Sequence, residues 1–82
     1  MQVSDENTQF LDVKGLVCPM PLLKLKQQMN RMCGGQTIEV ETTDAGSLKD
    51  FEAFCKQAGH SMTVESDGQV HRFVIQKNAA GA

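Results

Sequence analysis

The chain has 82 residues, which is enough for one small domain and leaves no room for a second hydrophobic core. With 40% hydrophobic and 22% charged residues, it has the composition of a globular protein, which excludes an intrinsically disordered one. Its net charge of −2 and pI of about 5.5 show no excess of basic residues of the kind that binds nucleic-acid phosphates.

Targeting signals and a disulfide framework are not apparent in the sequence. No apolar run approaches the ~18 residues of a membrane span, and the polar residues 1–9 do not resemble a secretory signal. We therefore expect a cytoplasmic protein without membrane association, whose three cysteines stay reduced. Because Trp and Tyr, the usual anchors of tight interfaces, are absent, we expect a monomer that binds its partners transiently.

The predicted domain spans residues 10–77, and the polar or small residues of 1–9 and 78–82 predict flexible tails. The first predicted strand covers residues 10–14. A helix follows from Pro19, where apolar residues begin to recur at spacings of three and four.

A glycine pair at 34–35 is predicted to end this first helix. Residues 37–42 then alternate strictly between apolar and polar, which predicts a strand with one buried face. A second helix follows and ends before Gly59. Ser47, with Asp50 three residues later, resembles a capping box at its start.

Residues 61–65 alternate again, which predicts a third strand with Met62 and Val64 facing inward. Asp67-Gly68 is a hairpin signal that leads into a last strand over 70–76. The order β-α-β-α-β-β predicts an α+β fold, a two-layer α/β sandwich. Its four-stranded mixed sheet is expected to begin with a right-handed β-α-β unit and to carry both helices on one face.

Cys18 is the residue most clearly suited to a chemical role. It is predicted at the N-cap of the first helix, where the helix dipole and free N–H groups favour a thiolate, although Pro21 removes one donor. The helix also carries Lys24, Lys26 and Arg31 and no acidic residue, and cationic surroundings lower a thiol pKa. The sequence therefore predicts a lowered pKa for Cys18 and a candidate docking surface at Lys24 and Lys26.

Cys18 has no second thiol at redox-motif spacing, because Pro21 occupies that position. Cys33 lies roughly 22 Å along the predicted helix. Cys55 lies among apolar residues of the second helix, and we expect both Cys33 and Cys55 to be small buried hydrophobic residues. A persulfide on Cys18 would persist until a partner thiolate arrives, as a sulfur carrier requires. The alternative is a regulatory or adaptor domain in which Cys18 is structural.

Other functional classes find little support. The cysteines and histidines have no metal-ligand spacing, and no cofactor-binding motif is present. We expect His60 to be a local cap and His71 to face solvent or pack within a strand. The acidic residues are expected to be solvated or to cap helices; they are Glu39, Glu41, Asp44, Asp50 and Glu52. The low pI and the few aromatic residues also argue against an RNA-binding module.

Over residues 10–77 the chain resembles the TusA/SirA-like family of sulfur carrier proteins. The most specific element is the Cys-Pro-x-Pro motif at 18–21, preceded by Gly15-Leu16. The further matching residues are Asp12, Asp44, Asp50, Phe54, Cys55, Gly59 and His60.

The resemblance implies the same sandwich fold and a relay role. Cys18 would accept sulfane sulfur from a cysteine desulfurase or a rhodanese-like donor, and pass it to a DsrE-type or other thiol acceptor protein. Family pathways include tRNA thiolation, molybdenum cofactor assembly and sulfur oxidation, and some members are named regulators. The supporting active-site turn would consist of Gly15, Leu16, Pro19, Met20 and Pro21.

The chain departs from the tRNA-thiolation members of this family at three positions. Val17, Met20 and Ala45 stand where those members often have a basic residue, an acidic residue and a proline, respectively. These side chains would surround the sulfur at docking, so the donor and the acceptor stay open. Sulfur transfer by such a carrier is stoichiometric, and we expect no turnover by the protein alone.

Overall fold

The structure is a computed structural model that describes residues 8–79 of the chain. Its elements follow the predicted order, which confirms the α+β sandwich. In chain order they are β1 (Thr8–Asp12), α1 (Met20–Met29), β2 (Thr37–Thr42), α2 (Gly46–Ala58), β3 (Ser61–Asp67) and β4 (Val70–Gln76). Within the described residues, no helix is long and apolar enough to cross a membrane.

The four-stranded sheet has the order β1-β2-β4-β3. β1 and β2 are parallel, as predicted, and β4 is antiparallel to both β2 and β3. β2 and β3 therefore run in the same direction, and β4 fills the space between them. The two crossovers, from β1 through α1 to β2 and from β2 through α2 to β3, run in the same direction across the sheet. Two right-handed crossovers that run in the same direction place their helices on the same face of the sheet.

The parallel pairing of β1 and β2 decides where the functional residues meet. The segments that follow two parallel strands leave the sheet at the same edge. Both helices consequently start at this edge, since α1 follows β1 and α2 follows β2. The loop after β1 thus lies beside the loop after β2, although about thirty residues separate them.

The hydrophobic core lies between the sheet and the two helices. The ring of Phe51 on α2 is fully buried against that of Phe73 on β4, with ring centroids 4.5 Å apart. β2 alternates as predicted and buries one face. The other buried apolar side chains are Val13, Leu25, Met29, Met32, Ile38, Val40, Cys55 and Ile75.

Several element boundaries differ from the predictions: β1 covers Thr8–Asp12 and not 10–14, α1 ends early, and β3 extends to Asp67. β1 begins at Thr8, so residues 8 and 9 belong to the sheet and not to the predicted tail. Their pairing with β2 holds them there, although their own side chains give no apolar signal. α1 ends at Met29, before the predicted glycine pair, yet Met32 is buried because further hydrogen-bonded turns bring it over the core.

The predicted capping box at the start of α2 is wrong. The helix already begins at Gly46, and no side chain caps it. Ser47 is buried, and its Oγ accepts a hydrogen bond from Thr42 Oγ1 at 3.0 Å. Val64 pairs with the buried Phe73 and therefore lies on the core-facing side of the sheet, as predicted. It is nevertheless 41% exposed, because β3 is an edge strand with no neighbour beyond it.

The end of β4 is tied back to the end of α2. The Asn78 backbone N–H donates to His60 Nδ1 at 2.9 Å, and its side-chain amide donates to the Ala58 carbonyl at 3.2 Å. Asn78 is therefore half-buried, in contrast to its place in a predicted flexible tail. The rest of both predicted tails, residues 1–7 and 80–82, lies outside the described residues.

Replacing Gly59 by Ala should lower the free energy of unfolding by about 1–2 kcal/mol. Gly59 ends α2 with φ +83°, and an added Cβ would lie 2.7 Å from Asn78 Nδ2. Urea denaturation followed by circular dichroism measures the change. Gly35→Ala is the matched control, because Gly35 has φ +91° and no atom within 4 Å of an added Cβ. Equal losses in both variants would show that Asn78 moves aside without cost.

Candidate functional site

The loop between β1 and α1 is anchored to the end of β2. The Gly15 backbone N–H donates to Thr43 Oγ1 at 2.9 Å, and the Leu16 N–H donates to the Val13 carbonyl at 3.2 Å. Gly15 has φ +88°, a left-handed conformation that favours glycine. Leu16 packs against the core. The predicted supporting residues Gly15 and Leu16 thus fasten the loop that carries the cysteine.

Cys18 is exposed at the end of this loop. It lies one residue before the N-cap of α1, whereas the sequence predicted it at the N-cap itself. The N-cap of α1 is Pro19, and no side chain caps the helix. The Cys18–Pro19 peptide bond is cis. Pro21, in the first turn of α1, is fully buried, whereas Pro19 and Met20 are exposed. These residues fix the start of the helix and leave the sulfur at the surface.

The start of α1 offers few N–H groups to the sulfur. The Met20 N–H donates to the Val17 carbonyl at 2.9 Å, Pro21 has no N–H, and the Leu23 N–H donates to the Pro19 carbonyl. A thiolate at Cys18 would therefore gain little from the helix-terminal donors on which the predicted anion stabilisation depended.

Cys18 is in contact with a carboxylate instead of a cation. Its Sγ donates a hydrogen bond to Asp50 Oδ2, on the second turn of α2, at 3.4 Å. This hydrogen bond raises the pKa of the Cys18 thiol, and desolvation and the charges of Asp50 and Asp44 raise it further. The predicted lowering of the pKa is wrong, because it considered the helix start and the charges on α1 but not Asp50 and Asp44.

Asp44 is the second acid at this edge of the sheet. Its backbone N–H donates to Thr42 Oγ1 at 2.9 Å, and its carbonyl accepts from the Ser47 N–H at 3.0 Å. Its Oδ2 is buried and has no hydrogen-bond partner among the described residues. A Cβ at Gly46 would lie 3.1 Å from this oxygen and 3.9 Å from Cys18 Cβ, so a bare glycine keeps these groups close.

From the sequence, Asp44 and Asp50 were expected to be solvated or to cap helices. Neither the hydrogen bond of Asp50 to the cysteine nor the effect of the Asp44 charge was predicted. A signal for both was present in the predicted topology. If β1 and β2 are parallel, the start of α2 must lie at the same sheet edge as Cys18. Acidic residues at the start of the second helix were therefore candidates for neighbours of the thiol.

The other two thiols lie away from Cys18. Cys33 is exposed, beyond the far end of α1, which at ten residues is about 15 Å long. Cys55 is buried near the end of α2, and burial raises the pKa of its thiol to about 11. Both positions agree with the expectation that neither thiol can easily reach Cys18. The expectation of burial is correct for Cys55 and wrong for Cys33, which follows the end of α1 and is exposed.

Exposed apolar side chains flank Cys18. We call Val17, Met20 and Leu23 the apolar rim; they are 67%, 39% and 44% exposed, respectively. The predicted docking residues Lys24 and Lys26 are also exposed on α1. Lys26 Nζ, however, lies 5.4 Å from the centre of the Phe54 ring on α2, so it bridges the two helices.

The two histidines form their hydrogen bonds with residues other than Cys18, Asp44 and Asp50. The His60 backbone N–H donates to the Cys55 carbonyl at 2.9 Å, as expected of a local cap at the end of α2, and its Nδ1 accepts from the Asn78 N–H. His71 Nδ1 is 2.7 Å from Ser66 Oγ on the neighbouring strand. Within residues 8–79, no group of three or more His, Cys, Asp or Glu side chains is arranged to hold a metal ion.

Known proteins resemble this chain along most of its length. A family model described as "Sulfurtransferase TusA" matches residues 9–77. The sulfur carrier protein TusA of Allochromatium vinosum is 46% identical over 72 residues, which cover 85% of this chain and 93% of that protein. YrkI of Bacillus subtilis is 41% identical over 73 residues, which cover 88% and 97% of the two chains.

A solved structure supports the fold independently. The crystal structure of a SirA-like protein from Desulfitobacterium hafniense superposes with a TM-score of 0.73 and covers 84% of this chain and 96% of its own. At 21% sequence identity, this likeness concerns the fold alone.

Proposed function

Since the chain belongs to the TusA family of sulfur carrier proteins, we propose that it carries sulfane sulfur as a persulfide on Cys18. Cys18 takes the terminal sulfur from a persulfide on a donor protein. A cysteine of an acceptor protein then attacks that sulfur and regenerates the Cys18 thiol. The protein has no turnover of its own, because each molecule carries one sulfur between two partners.

The observation that carries this proposal is the isolation of an exposed thiol. Cys18 is exposed, whereas Cys55 is buried and Cys33 lies beyond the far end of α1. A nearby thiolate would attack the Cys18 persulfide and form an internal disulfide. Isolation lets the persulfide survive until a partner arrives. Such a cycle also requires a compartment that keeps thiols reduced, which supports a cytoplasmic location.

The apolar rim supports transient docking of both partners. Val17 and Met20 lie within two residues of Cys18, Leu23 lies in the first turn of α1, and all three expose apolar surface; Lys24 follows Leu23. Burial of this rim on docking stabilises the complex and excludes water from the reacting sulfurs. We propose that the donor is a cysteine desulfurase or a rhodanese-like protein, and the acceptor a DsrE-type or other thiol protein. The relay then feeds tRNA thiolation, cofactor assembly or sulfur oxidation.

One observation favours a second candidate function. The hydrogen bond from Cys18 to Asp50 joins the loop between β1 and α1 to α2, as expected of a structural cysteine. The protein would then be an adaptor domain that binds partners without carrying sulfur. Cys18→Ser separates the two candidates, because its hydroxyl can keep the hydrogen bond but cannot form a persulfide. An adaptor keeps its partner binding and its phenotype in this variant, whereas a carrier loses its sulfur transfer.

Intact mass spectrometry tests the carrier proposal. After incubation with a cysteine desulfurase and cysteine, the wild type is expected to gain about 32 Da, one sulfur atom, which reduction removes. Cys18→Ala is expected to gain nothing. Cys33→Ala is the matched control, because it removes the other exposed thiol, and it should load like the wild type. If desulfurase, rhodanese and polysulfide all fail to load Cys18, the carrier proposal is wrong.

A further inference from the structure

The closest polar partner of the Cys18 sulfur is an acid, which is unexpected for a thiol that must react as a thiolate. Sγ donates to Asp50 Oδ2 at 3.4 Å, and the Asp44 carboxylate adds a second negative charge nearby. The charged side chains that act on the thiol, among those described, are these two acids. Lys26, on the same helix as the motif, lies over the Phe54 ring instead.

We propose that Asp50 keeps Cys18 in its thiol form while the protein is alone, and that a cationic side chain of the docked sulfur donor or acceptor pairs with Asp50 and releases the thiolate. This inference rests on the persulfide function proposed above. It makes Asp50 a positioning residue that suppresses reaction of the free carrier. It also specifies the chemistry of the partner surface: a basic residue surrounded by apolar ones.

Charge complementarity supports a cationic partner group. Asp50 is half-buried, and Asp44 Oδ2 is buried without a hydrogen-bond partner among the described residues. A negative charge held in partly desolvated surroundings is costly when no cation faces it. A docked cation beside Asp50 offsets this cost. The apolar rim strengthens the effect, because removing water from a contact lowers the local dielectric constant and strengthens the attraction between charges.

The exchange balances without an external oxidant or reductant. When Asp50 pairs with the cation, its hydrogen bond to Sγ is lost and the thiol proton passes to water. The Cys18 thiolate then bonds to the terminal sulfur of the donor persulfide. The bond between that sulfur and the donor cysteine breaks, and the donor thiolate takes up a proton. Discharge to the acceptor repeats these steps, with Cys18 as the leaving thiolate.

Asp50 is not assigned the role of general base. A carboxylate is a much weaker base than a thiolate, so it cannot hold the thiol proton at neutral pH. The hydrogen bond instead stabilises the protonated sulfur. Loss of the carboxylate should therefore raise the reactivity of Cys18 in the free protein, whereas loss of a general base would lower it.

The first test uses the protein alone. The rate of iodoacetamide alkylation at Cys18 is measured from pH 6 to 11 in Cys33→Ala and in the same background with Asp50→Asn. We expect the Asn variant to titrate at lower pH and to react roughly threefold faster, or more, at pH 7. Each unit of lower pKa multiplies the thiolate fraction about tenfold, and weaker nucleophilicity offsets about a third to a half of that on a logarithmic scale.

Glu52→Gln is the matched control, because it removes the same charge from an exposed position on the same helix. Its alkylation profile should coincide with that of the parent. If Asp50→Asn leaves the pH profile unchanged, Asp50 does not hold the thiol and the inference is overturned. Since alkylation needs no sulfur donor, this result is independent of whether Cys18 carries a persulfide.

The second test compares a donor without a docking surface with a protein donor. Asp50→Asn should load faster from inorganic polysulfide and several-fold more slowly from the protein donor that loads the wild type. A parallel increase with both donors would overturn the pairing with a cation. If no protein donor loads the wild type, the proposed function fails, while the alkylation profile still decides the role of Asp50.

Discussion

Phe51→Ala is expected to lower the free energy of unfolding by about 3–5 kcal/mol, the range for truncating a buried phenylalanine. Phe51 is fully buried and lies against Phe73, so its removal opens a cavity and deletes the ring contact between α2 and β4. Small domains typically have only about 5 kcal/mol of stability, and the variant should therefore populate its unfolded state measurably. Urea denaturation followed by far-ultraviolet circular dichroism measures the loss, since the chain lacks Trp and Tyr for fluorescence.

Phe10→Ala is the matched control for this change. Phe10 lies on the face of the sheet opposite the helices and is 56% exposed. Truncation of an exposed side chain should change stability by about 0.5 kcal/mol or less. A loss comparable to that of Phe51→Ala would contradict the two-layer description, because it would mean that the open face of the sheet is covered in solution.

Leu23→Asp is expected to slow persulfide loading from a protein donor by at least about tenfold. The variant places a charge within the apolar rim, where docking would bury it without a partner. An unpaired buried charge costs several kcal/mol, and each ~1.4 kcal/mol is a factor of ten in affinity. Loading from inorganic polysulfide should fall much less, because polysulfide reaches the exposed Cys18 without burying the rim.

Val74→Asp provides the matched control for the rim. Val74 is also an exposed apolar residue, at 36%, but it lies on the open face of the sheet, away from α1. This variant should load from the protein donor at the wild-type rate. If Val74→Asp and Leu23→Asp slow loading equally, the partner does not recognise the apolar rim, and the docking surface must be sought elsewhere.

The elements could be predicted from the sequence because their signals are local. Strict alternation at 37–42 and the stripe of α1 gave the correct element types, and the order of elements led to the correct fold class. The predictions failed where contacts with other elements determine the conformation of a residue. Thr8 is in a strand because β2 pairs with it, and Ser47 accepts a hydrogen bond from Thr42 instead of capping α2.

The sequence by itself determined the position of Cys18 in the motif and its lack of a second thiol at redox spacing, because both depend only on neighbouring residues. The surroundings of the sulfur were decided by the tertiary structure alone. Asp50 is 32 residues from Cys18, and the parallel pairing of β1 and β2 brings their helices to one edge of the sheet. A thiol pKa depends on all charges within a few ångströms, so Asp50 on α2 and Asp44 just before it outweigh the lysines of α1.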